Sequence, residues 1–370
     1  MKDSATADRD DDRQGAHAPR CDQASAPAAT ADTAFCMALL PRVSRSFAFS
    51  IEALPATLQP AVRCAYLLCR VVDSIEDAPA LTRAERYGLF NVFDRVLDDE
   101  KLDPTELEHA CIRASVGATS VDGQLCRGAG AVFRAFRALP VPQRQAILPH
   151  VLEMSGGMRA YCARGQTLRL ADLDDLERYC YFVAGTVGNM LTELFEPTMP
   201  SLPAEVRLSL RERAVSFGLG LQMVNVVKDV ATDFTERRAC FLPMRLAREH
   251  GLELDRLLDP AMREAGLAVI SAVCARAREH LHRAEEYVAL WPTAGDGGEA
   301  GQPVRLFCAV PLALALATLR VVARGEDTLR KDVTPKVSRA TVAAILAQAP
   351  AAAASNQALV ALLRRCEEER

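Results

Sequence analysis

The sequence has 370 residues, half of them hydrophobic, and a formal net charge of -4. Its basic residues are scattered rather than clustered, which excludes an electropositive face of the kind that binds nucleic acid. Alanine and leucine dominate, aromatic residues make up only 5% of the chain, and β-branched runs bounded by turn residues are rare. This composition predicts an all-α fold with a large hydrophobic core.

The twelve cysteines form no CxxC pair and do not show the Cys/His spacing of a zinc site. Many of them lie inside apolar helical runs, where cysteine behaves as a small hydrophobic residue. We therefore expect reduced thiols and a cytoplasmic protein, rather than a disulfide framework or a zinc site.

The N-terminal residues 1–30 are rich in Asp, Ala, Gln and Pro without periodicity, and they contain no apolar stretch typical of a signal peptide. They predict a disordered tail. The helical stretch that follows, FCMALLPRVSRSFAFSIEALP, contains an internal proline, so it holds at least one break. Near that break, Ser44, Arg45 and Ser46 form either an ordinary turn with a helix N-cap or a cradle for an anion such as phosphate.

An acidic helix is predicted from Tyr66 to Asp77, in the stretch YLLCRVVDSIED. Apolar residues cover most of its circumference, which indicates a buried helix. Asp73, Glu76 and Asp77 nevertheless share one face of one turn, because they are spaced i, i+3 and i+4. Three carboxylates so close together repel one another unless a cation joins them, and a hard divalent ion such as Mg²⁺ is the natural partner.

The central part of the chain contains a second candidate functional residue, Tyr179, on a long helix predicted over 170–195. A tyrosine on such a face is commonly a core residue with a satisfied hydroxyl, so that alternative stands beside a catalytic role. Upstream, Thr82 and Glu85 have the spacing of a capping box, which marks a helix start. The adjacent glycines at 156–157 lie inside another helix and indicate a kink or a close helix approach.

A second acidic face is predicted in the stretch GLGLQMVNVVKDVATDF, on a helix from about 203 to 234. Asn225, Asp229 and Asp233 are spaced i, i+4 and i+8, which places them on one face as further candidate metal ligands. Two acidic faces confronting each other across a cavity are typical of diphosphate chemistry through bridging magnesium. Arg237 and Arg238 follow directly and suit a diphosphate, although a solvated charged loop is the alternative.

The C-terminal third begins with an amphipathic helix predicted over 259–291. The apolar stretch 306–323 is interrupted by a proline and an arginine, and we expect a buried core helix there rather than a membrane span. A basic segment at about 330–339 and one or two alanine-rich helices complete the chain.

Five of these stretches together resemble one known family. FCMALLPRVSRSFA, YLLCRVVDSIED, RYCYFVAGTVG, LGLQMVNVVKDVATD and LFCAVPLALALATL look like the blocks of the squalene/phytoene synthase family, in the right order over residues 34–340. A single acidic block is weak, because many helices carry such spacing by chance, but five blocks in sequence are highly specific. The last block favours the squalene-forming members over the phytoene-forming ones.

The resemblance implies an isoprenoid synthase fold, a single helical domain around a central cavity. It places the catalytic domain at residues 31–345 and a helical tail without a membrane anchor at 346–370. It also implies the head-to-head condensation of two farnesyl diphosphates to presqualene diphosphate, which NADPH then reduces to squalene in a rearrangement. Mg²⁺ and NADPH are the implied cofactors, and peripheral membrane contact during product release stays open.

The resemblance assigns roles to individual residues. The magnesium ligands would be Asp73, Glu76 and Asp77 for one diphosphate, and Asp229 and Asp233 for the other. Contacts to diphosphate oxygens would come from Ser44, Arg45, Ser46, Arg70 and Arg238. The catalytic residues would be Tyr179 as general acid/base, Phe307 in the pocket of the second step, and Arg70. The NADPH phosphate would contact Lys336 and Arg339.

Two positions depart from the family pattern. Thr232 stands where the family often has Glu, and Arg305 stands where an aromatic residue lines the second-step pocket in animal enzymes. Sister reactions on the same fold therefore remain alternatives, namely synthesis of phytoene, dehydrosqualene or unreduced presqualene diphosphate. A non-catalytic helical scaffold is the alternative outside enzymes. The sequence leaves the oligomeric state open.

Overall fold

The structure is a computed structural model that describes residues 30–368 except 118, 165–168, 238 and 294–299. Arg238 and almost all of the tail predicted for residues 1–30 lie outside the described residues, as do the side chains of Arg45 and Ser46.

Helices make up about three quarters of the described chain and strands only six residues, which confirms the all-α prediction. The first eight are α1 (Ala31–Val43), α2 (Arg45–Glu52), α3 (Gln59–Glu76), α4 (Arg83–Asp98), α5 (Glu106–Arg113), α6 (Val121–Arg127), α7 (Ala129–Arg137) and α8 (Val141–Cys162). The others are α9 (Leu173–Cys180), α10 (Thr186–Phe195), α11 (Ala204–Lys228), α12 (Val230–Thr232), α13 (Met244–Glu249), α14 (Arg263–Leu290), α15 (Gly301–Ala323), α16 (Arg339–Ala354) and α17 (Asn356–Glu368).

Two kinds of element, π turns and short strands, interrupt the helices at places where sequence periodicity predicts no interruption. A π turn at Tyr181–Gly185 separates α9 from α10, and a second one occupies Asp233–Arg237. Two short strands, β1 (Arg169–Leu170) and β2 (Cys240–Pro243), pair in parallel. The four residues of β2 are all buried.

Helix starts and breaks follow local chemistry. Thr82 and Glu85 make both hydrogen bonds of the predicted capping box at the start of α4. The side chain of Asp172 accepts a hydrogen bond from the N–H of Asp175 and so caps α9. The predicted break near Pro41 occurs at Ser44, which ends α1 and precedes α2.

Close helix packing around α11 forms the centre of the molecule, where α11 lies along α14 and also contacts α10 and α15. Gly188 and Gly218 allow this approach, because a Cβ at either position would overlap a backbone carbonyl of the facing segment, at Ala214 and Ala184 respectively. Gly157 approaches the ring of Phe182 in the same way, which confirms the close contact predicted for the glycine pair.

The apolar helix α15 is a core element, as predicted. Among the described residues it alone is long and apolar enough to cross a membrane, and most of its apolar window is buried inside the protein. No disulfide joins any cysteine in the described part, and all of those cysteines except Cys162 are buried.

Candidate active site

The first acidic segment lies at the C-terminal end of α3. This helix is buried along most of its length, and its last residue is Glu76. The N–H of Asp77 continues the helical pattern by donating to the carbonyl of Asp73 at 2.8 Å. The side chains of Asp73 and Asp77 are each 27% exposed, so the carboxylates sit at the edge of an otherwise buried helix. This arrangement agrees with the shared face expected from their spacing.

The second acidic segment follows α11, but the straight helix predicted to about residue 234 is wrong. The helix ends at Lys228, and Asp229 leaves helical geometry with φ -95° and ψ 7°. Backbone hydrogen bonds still run from Asp229 to Asn225 and from Asp233 to Asp229, at 2.9 and 2.8 Å. The i+4 relation between the three residues therefore survives the break.

The side chains of this second segment differ in their surroundings. Asn225 is exposed, and its amide oxygen accepts a hydrogen bond from Lys228 at 3.2 Å. Lys228 also pairs with Asp229 at 3.1 Å. Asp233 is buried, and its Oδ1 atom accepts no hydrogen bond within the described structure. Asn225 and Asp229 thus share one lysine, whereas Asp233 keeps a buried oxygen atom that accepts no hydrogen bond.

Arg237 joins the two acidic segments. Its Nη2 atom lies 2.7 Å from Oδ2 of Asp77 on the first segment, and its Nη1 atom lies 3.2 Å from Oδ1 of Asp233 on the second. The two acidic segments therefore face each other, as the sequence predicts. The sequence reasoning placed Arg237 beside the site but selected its neighbour Arg238, which is outside the described residues. The i+4 spacing from Asp233 was the sequence signal for the ion pair between Arg237 and Asp233.

Four carboxylates of the two segments hold protons more tightly than ordinary side chains. Burial raises the pKa of Asp73 and of Asp233 to about 7, and the neighbouring carboxylates add to this effect. Burial also raises the pKa of Asp77, and that of Glu76 well above its usual value. Arg237 opposes the shift at each of these groups, yet it does not cancel it. The site is therefore short of positive charge.

A magnesium ion fits this donor set. No three Asp, Glu, His or Cys side chains in the described part are gathered closely enough to form a ready metal site by themselves. Mg²⁺ does not require such a cage, because it is usually held by one or two carboxylates together with waters and substrate phosphates. Hard carboxylate oxygens on two facing segments provide that arrangement. One of them, Oδ1 of Asp233, is buried and has the ion pair with Arg237 but no hydrogen bond.

Tyr179 reaches the first acidic segment from the last turn of α9. Its hydroxyl donates to Oε2 of Glu76 at 3.2 Å. Its ring stacks on Phe241 with centroids 4.8 Å apart and meets the edge of Tyr161 at 5.2 Å. Burial raises its pKa well above the usual value, with further contributions from Glu76 and Asp77. The phenol is therefore protonated and fixed, with its hydroxyl directed at the carboxylates.

Arg70 lies one turn before Asp73 and is held by a residue that the sequence reasoning missed. Its Nε and Nη2 atoms both donate to the carboxylate of Asp122, each at 2.9 Å, and its Nη1 atom is 3.8 Å from Asp73. Asp122 belongs to α6, 52 positions away in sequence. No local pattern could have connected the two residues.

A row of aromatic side chains begins at Tyr66, which lies on the same helix as Asp73 and near it. The ring of Phe47 lies 5.4 Å from Tyr66 and 6.5 Å from Phe307, and Phe307 is 5.5 Å from Phe195. Burial raises the pKa of Tyr66, while its hydrogen bond to Ser44 acts in the opposite direction. Ser44 and Phe307 therefore belong to one continuous wall next to Arg70.

The predicted NADPH residues lie on a segment that contacts the second acidic segment. The hydroxyls of Thr334 and Thr232 are 3.3 Å apart. Lys336 and Arg339 are exposed, and Arg339 is the first residue of α16. The threonine at 232, where the family often has Glu, thus tethers the basic segment near the site.

Arg305 is not a pocket residue. Its side chain is completely buried, and its Nη1 atom donates to the carbonyls of Val288, Ala289 and Trp291 at 2.9 to 3.2 Å. Its Nε atom donates to the carbonyl of Ala353 at 2.7 Å. The guanidinium therefore satisfies carbonyls at the ends of α14 and α16, where a helix leaves them without internal partners.

Known proteins similar to this chain share its architecture. A solved structure of TcSQS in complex with a ligand superposes with a TM-score of 0.76, at 25% identity and over 90% of both chains. A dehydrosqualene synthase in complex with a ligand gives a TM-score of 0.61 at 20% identity, over 86% of this chain and 95% of that one. The similarity to the dehydrosqualene synthase concerns the fold alone. Together the two structural similarities confirm the isoprenoid synthase fold.

Sequence comparison gives the family. The squalene synthases of Schizosaccharomyces pombe and Eremothecium gossypii are each 29% identical to this chain and cover 80% of it. The chain spans only 61% and 64% of their respective lengths. The family model for squalene/phytoene synthase matches residues 40–341. Because that match covers most of the chain, the chain belongs to the squalene/phytoene synthase family.

Proposed function

We propose that this chain condenses two farnesyl diphosphates head to head to presqualene diphosphate, and that it then reduces this product to squalene with NADPH. One observation carries the proposal. Two acidic segments, ending α3 and following α11, face each other across Arg237, and the hydroxyl of Tyr179 reaches the first of them. Membership of the family and similarity to two squalene synthases support the substrate and product.

Binding of the two diphosphates is divided between the segments. Asp73, Glu76 and Asp77 would hold magnesium for one diphosphate, and Asp229 and Asp233 for the other. Bound there, magnesium would stabilise the charge that develops on the departing diphosphate. Arg70 approaches the first segment with its guanidinium fixed by Asp122, which suits a planar, charge-assisted contact to phosphate oxygens. Ser44, Arg45, Ser46 and Arg238 complete the proposed contacts to diphosphate.

The aromatic wall protects the reacting carbon atoms. Loss of diphosphate leaves an allylic cation, which water would capture in an open site. Phe47, Tyr66 and Phe307 provide apolar surface and electron-rich ring faces beside the acidic segments. Their packing excludes water and steadies the positive charge.

Tyr179 would act as general acid and base in the first half-reaction. Its phenol is protonated and hydrogen-bonded to Glu76, so it can donate directly. To accept a proton, the phenol must first lose its own to a nearby anion, and released diphosphate can serve.

Reduction would follow in the same site. NADPH would supply the hydride that the carbocation accepts. Lys336 and Arg339 are exposed cations on a segment tethered to Thr232, which supports a role in holding the nucleotide phosphate. Phe307 would line the pocket in which the second half-reaction takes place.

The test is incubation of the purified protein with farnesyl diphosphate and Mg²⁺, with and without NADPH, followed by product identification. Squalene with NADPH, and presqualene diphosphate or unreduced products without it, would support the proposal. Phytoene from a longer substrate, or dehydrosqualene at every NADPH level, would assign a sister reaction.

An Asp77→Asn variant should be inactive but folded, whereas Asp255→Asn, at a 91% exposed side chain, should match wild type. No consumption of farnesyl diphosphate by the wild type would favour a non-catalytic scaffold.

A further inference from the structure

Arg237 occupies an unusual position between the two acidic segments. Within the described structure it is the cation that pairs with carboxylates of both, through Asp77 at 2.7 Å and Asp233 at 3.2 Å. Among the described residues, Lys228 contacts Asn225 and Asp229 on the second segment, and Arg70 lies against Asp73 and Asp122. Arg237 thus links the two acidic segments at the place where bound metal and diphosphate would link them.

The guanidinium and a metal compete for the same oxygens. Mg²⁺ binds a carboxylate oxygen at about 2.0–2.1 Å and brings two positive charges with it. Arg237 cannot keep close contacts with Asp77 and Asp233 while such an ion sits on those groups, because the two cations repel each other. Either Arg237 moves or the metal binds weakly.

The surroundings of Arg237 permit that movement. Its side chain is 40% exposed, whereas that of Asp233 is only 6% exposed. Arg237 ends the π turn Asp233–Arg237 and pairs only at its guanidinium tip. A diphosphate entering between the segments would offer this tip new oxygens, and guanidinium binds phosphate in a planar, two-pronged geometry.

We propose that Arg237 is a displaceable counter-cation: it holds Asp77 and Asp233 together in the ligand-free protein, keeps Mg²⁺ from binding alone, and transfers to the diphosphate when substrate and metal enter together. Magnesium would then load only with diphosphate. This inference rests on the metal ligands of the proposed function, which the experiment tests separately.

The experiment compares Mg²⁺ binding to wild type, Arg237→Gln and Arg256→Gln. Arg256 is a matched control, since it also bridges two carboxylates, Glu253 and Asp259, but on the surface. Calorimetry and the thermal midpoint are measured with Mg²⁺ alone, and then with Mg²⁺ and inorganic pyrophosphate as the substrate mimic. Neither readout depends on turnover.

With Mg²⁺ alone, Arg237→Gln should bind the ion at least about fivefold more tightly than wild type, the low end of ordinary coupling between two sites. Its metal-free midpoint should lie below that of wild type and rise with Mg²⁺, because ligands that bind the native state stabilise it. Wild type and Arg256→Gln should respond only when pyrophosphate is also present. If Arg237→Gln does not fold without metal, Arg237→Lys should give an intermediate Mg²⁺ affinity.

Equal Mg²⁺ affinity of wild type and Arg237→Gln, whether strong or absent, would overturn the inference. The pyrophosphate arm then separates the two proposals. If both proteins bind Mg²⁺ with pyrophosphate, the proposed metal site stands and only the role of Arg237 fails. If neither binds under any condition, the metal ligands of the proposed function fail as well.

Discussion

Asp122 shows how a residue outside the acidic segments can control the site. It is bonded to Arg70 through both carboxylate oxygens, which fixes the plane of the guanidinium next to Asp73. Without that partner, Arg70 is free to collapse onto Asp73, where it would compete with metal. If Arg70 binds diphosphate as proposed, Asp122 is a positioning residue that acts on substrate through Arg70.

Replacing Asp122 by Asn should raise KM for farnesyl diphosphate about tenfold, which corresponds to one charged hydrogen bond of roughly 1.5 kcal/mol. The turnover number should change less than KM, because Arg70 contributes mainly to binding. Steady-state kinetics on Asp122→Asn and the exposed control Asp255→Asn provide the measurement. An unchanged KM would mean that Asp122 only stabilises the fold.

Tyr179 is both a core residue and a candidate catalyst, since its ring is packed by Phe241 and Tyr161 while its hydroxyl meets Glu76. Tyr179→Phe removes only the hydroxyl, so KM should hold and kcat should fall roughly 10²–10⁴-fold, the usual range for general acid/base catalysis. Tyr87→Phe, at an exposed ring, is the control. Turnover at the wild-type rate would leave Tyr179 as a packing residue alone.

Asp175 supports the residues behind Tyr179 and makes stability depend on pH. Burial acts to raise its pKa, but hydrogen bonds from Arg164, the N–H of Ala171 and Tyr161 outweigh it and leave the pKa below the usual value. A depressed pKa stabilises the fold at pH values above the unfolded value of about 3.9, and this contribution disappears as pH falls through the folded pKa.

The thermal midpoint of Asp175→Asn should therefore lie below that of wild type at pH 6, and the gap should close toward pH 3. Midpoints measured across that range test this directly. A gap that stays constant with pH would show that the carboxylate charge is not what stabilises this contact.

At the scale of the element, backbone contact between helices sets the distance between α10 and α11. Gly188 on α10 lies against the carbonyl of Ala214 on α11, and a methyl group there would overlap it. The midhelical Gly156 has open space around its Cβ position and gives a matched comparison.

Gly188→Ala should destabilise the protein by about 1–3 kcal/mol through overpacking, and it should lower activity by spreading α10 from α11. Gly156→Ala should stabilise by roughly 0.5–1 kcal/mol, because alanine is the better helix former. Denaturant midpoints for the two variants check the opposite signs. Equal changes in the denaturant midpoint would mean that the overlap at Gly188 is relieved without loss of stability.

Local periodicity was sufficient for some elements and insufficient for others. The acidic end of α3 and the capping box of α4 depend on residues within four positions, so the sequence predicted them. The break after α11 at Asp229 left the i+4 spacing unchanged, so the polar pattern carried no sign of it. The pairing of Arg70 with Asp122 and of Arg237 with Asp77 joins distant segments, and only the fold brings them together.

At the scale of the whole molecule, Arg305 ties the C-terminal helices to the core. Its guanidinium serves the end of α14, the end of α16 and the amide oxygen of Asn356 at the start of α17. Arg305→Met should destabilise by at least about 3 kcal/mol, because several buried carbonyls lose their donor. Arg256→Met, on the surface, should change little.

The Arg305→Met variant should retain the KM of wild type when it is assayed well below its thermal midpoint, where it is still folded. The reason is that Arg305 does not face the acidic segments. Thermal scans and low-temperature kinetics on the same samples separate the two effects. A raised KM with unchanged stability would restore Arg305 to the pocket where the family pattern places an aromatic residue.

The π turn at Tyr181–Gly185 has a consequence for how the chain can vary in length. A π turn contains one residue more than an α turn, so it shifts the sequence periodicity beyond it by one position, which is about 100° on a helical wheel. Deleting one residue from 181–185 would convert the turn to ordinary α-helix and leave the flanking sequences intact. Because the π turn accommodates its extra residue within one turn, this deletion would leave α9 and α10 in the same relative orientation, with the Tyr179 hydroxyl still at Glu76 and Gly188 still against α11. This stretch can therefore be one residue shorter without displacing Tyr179.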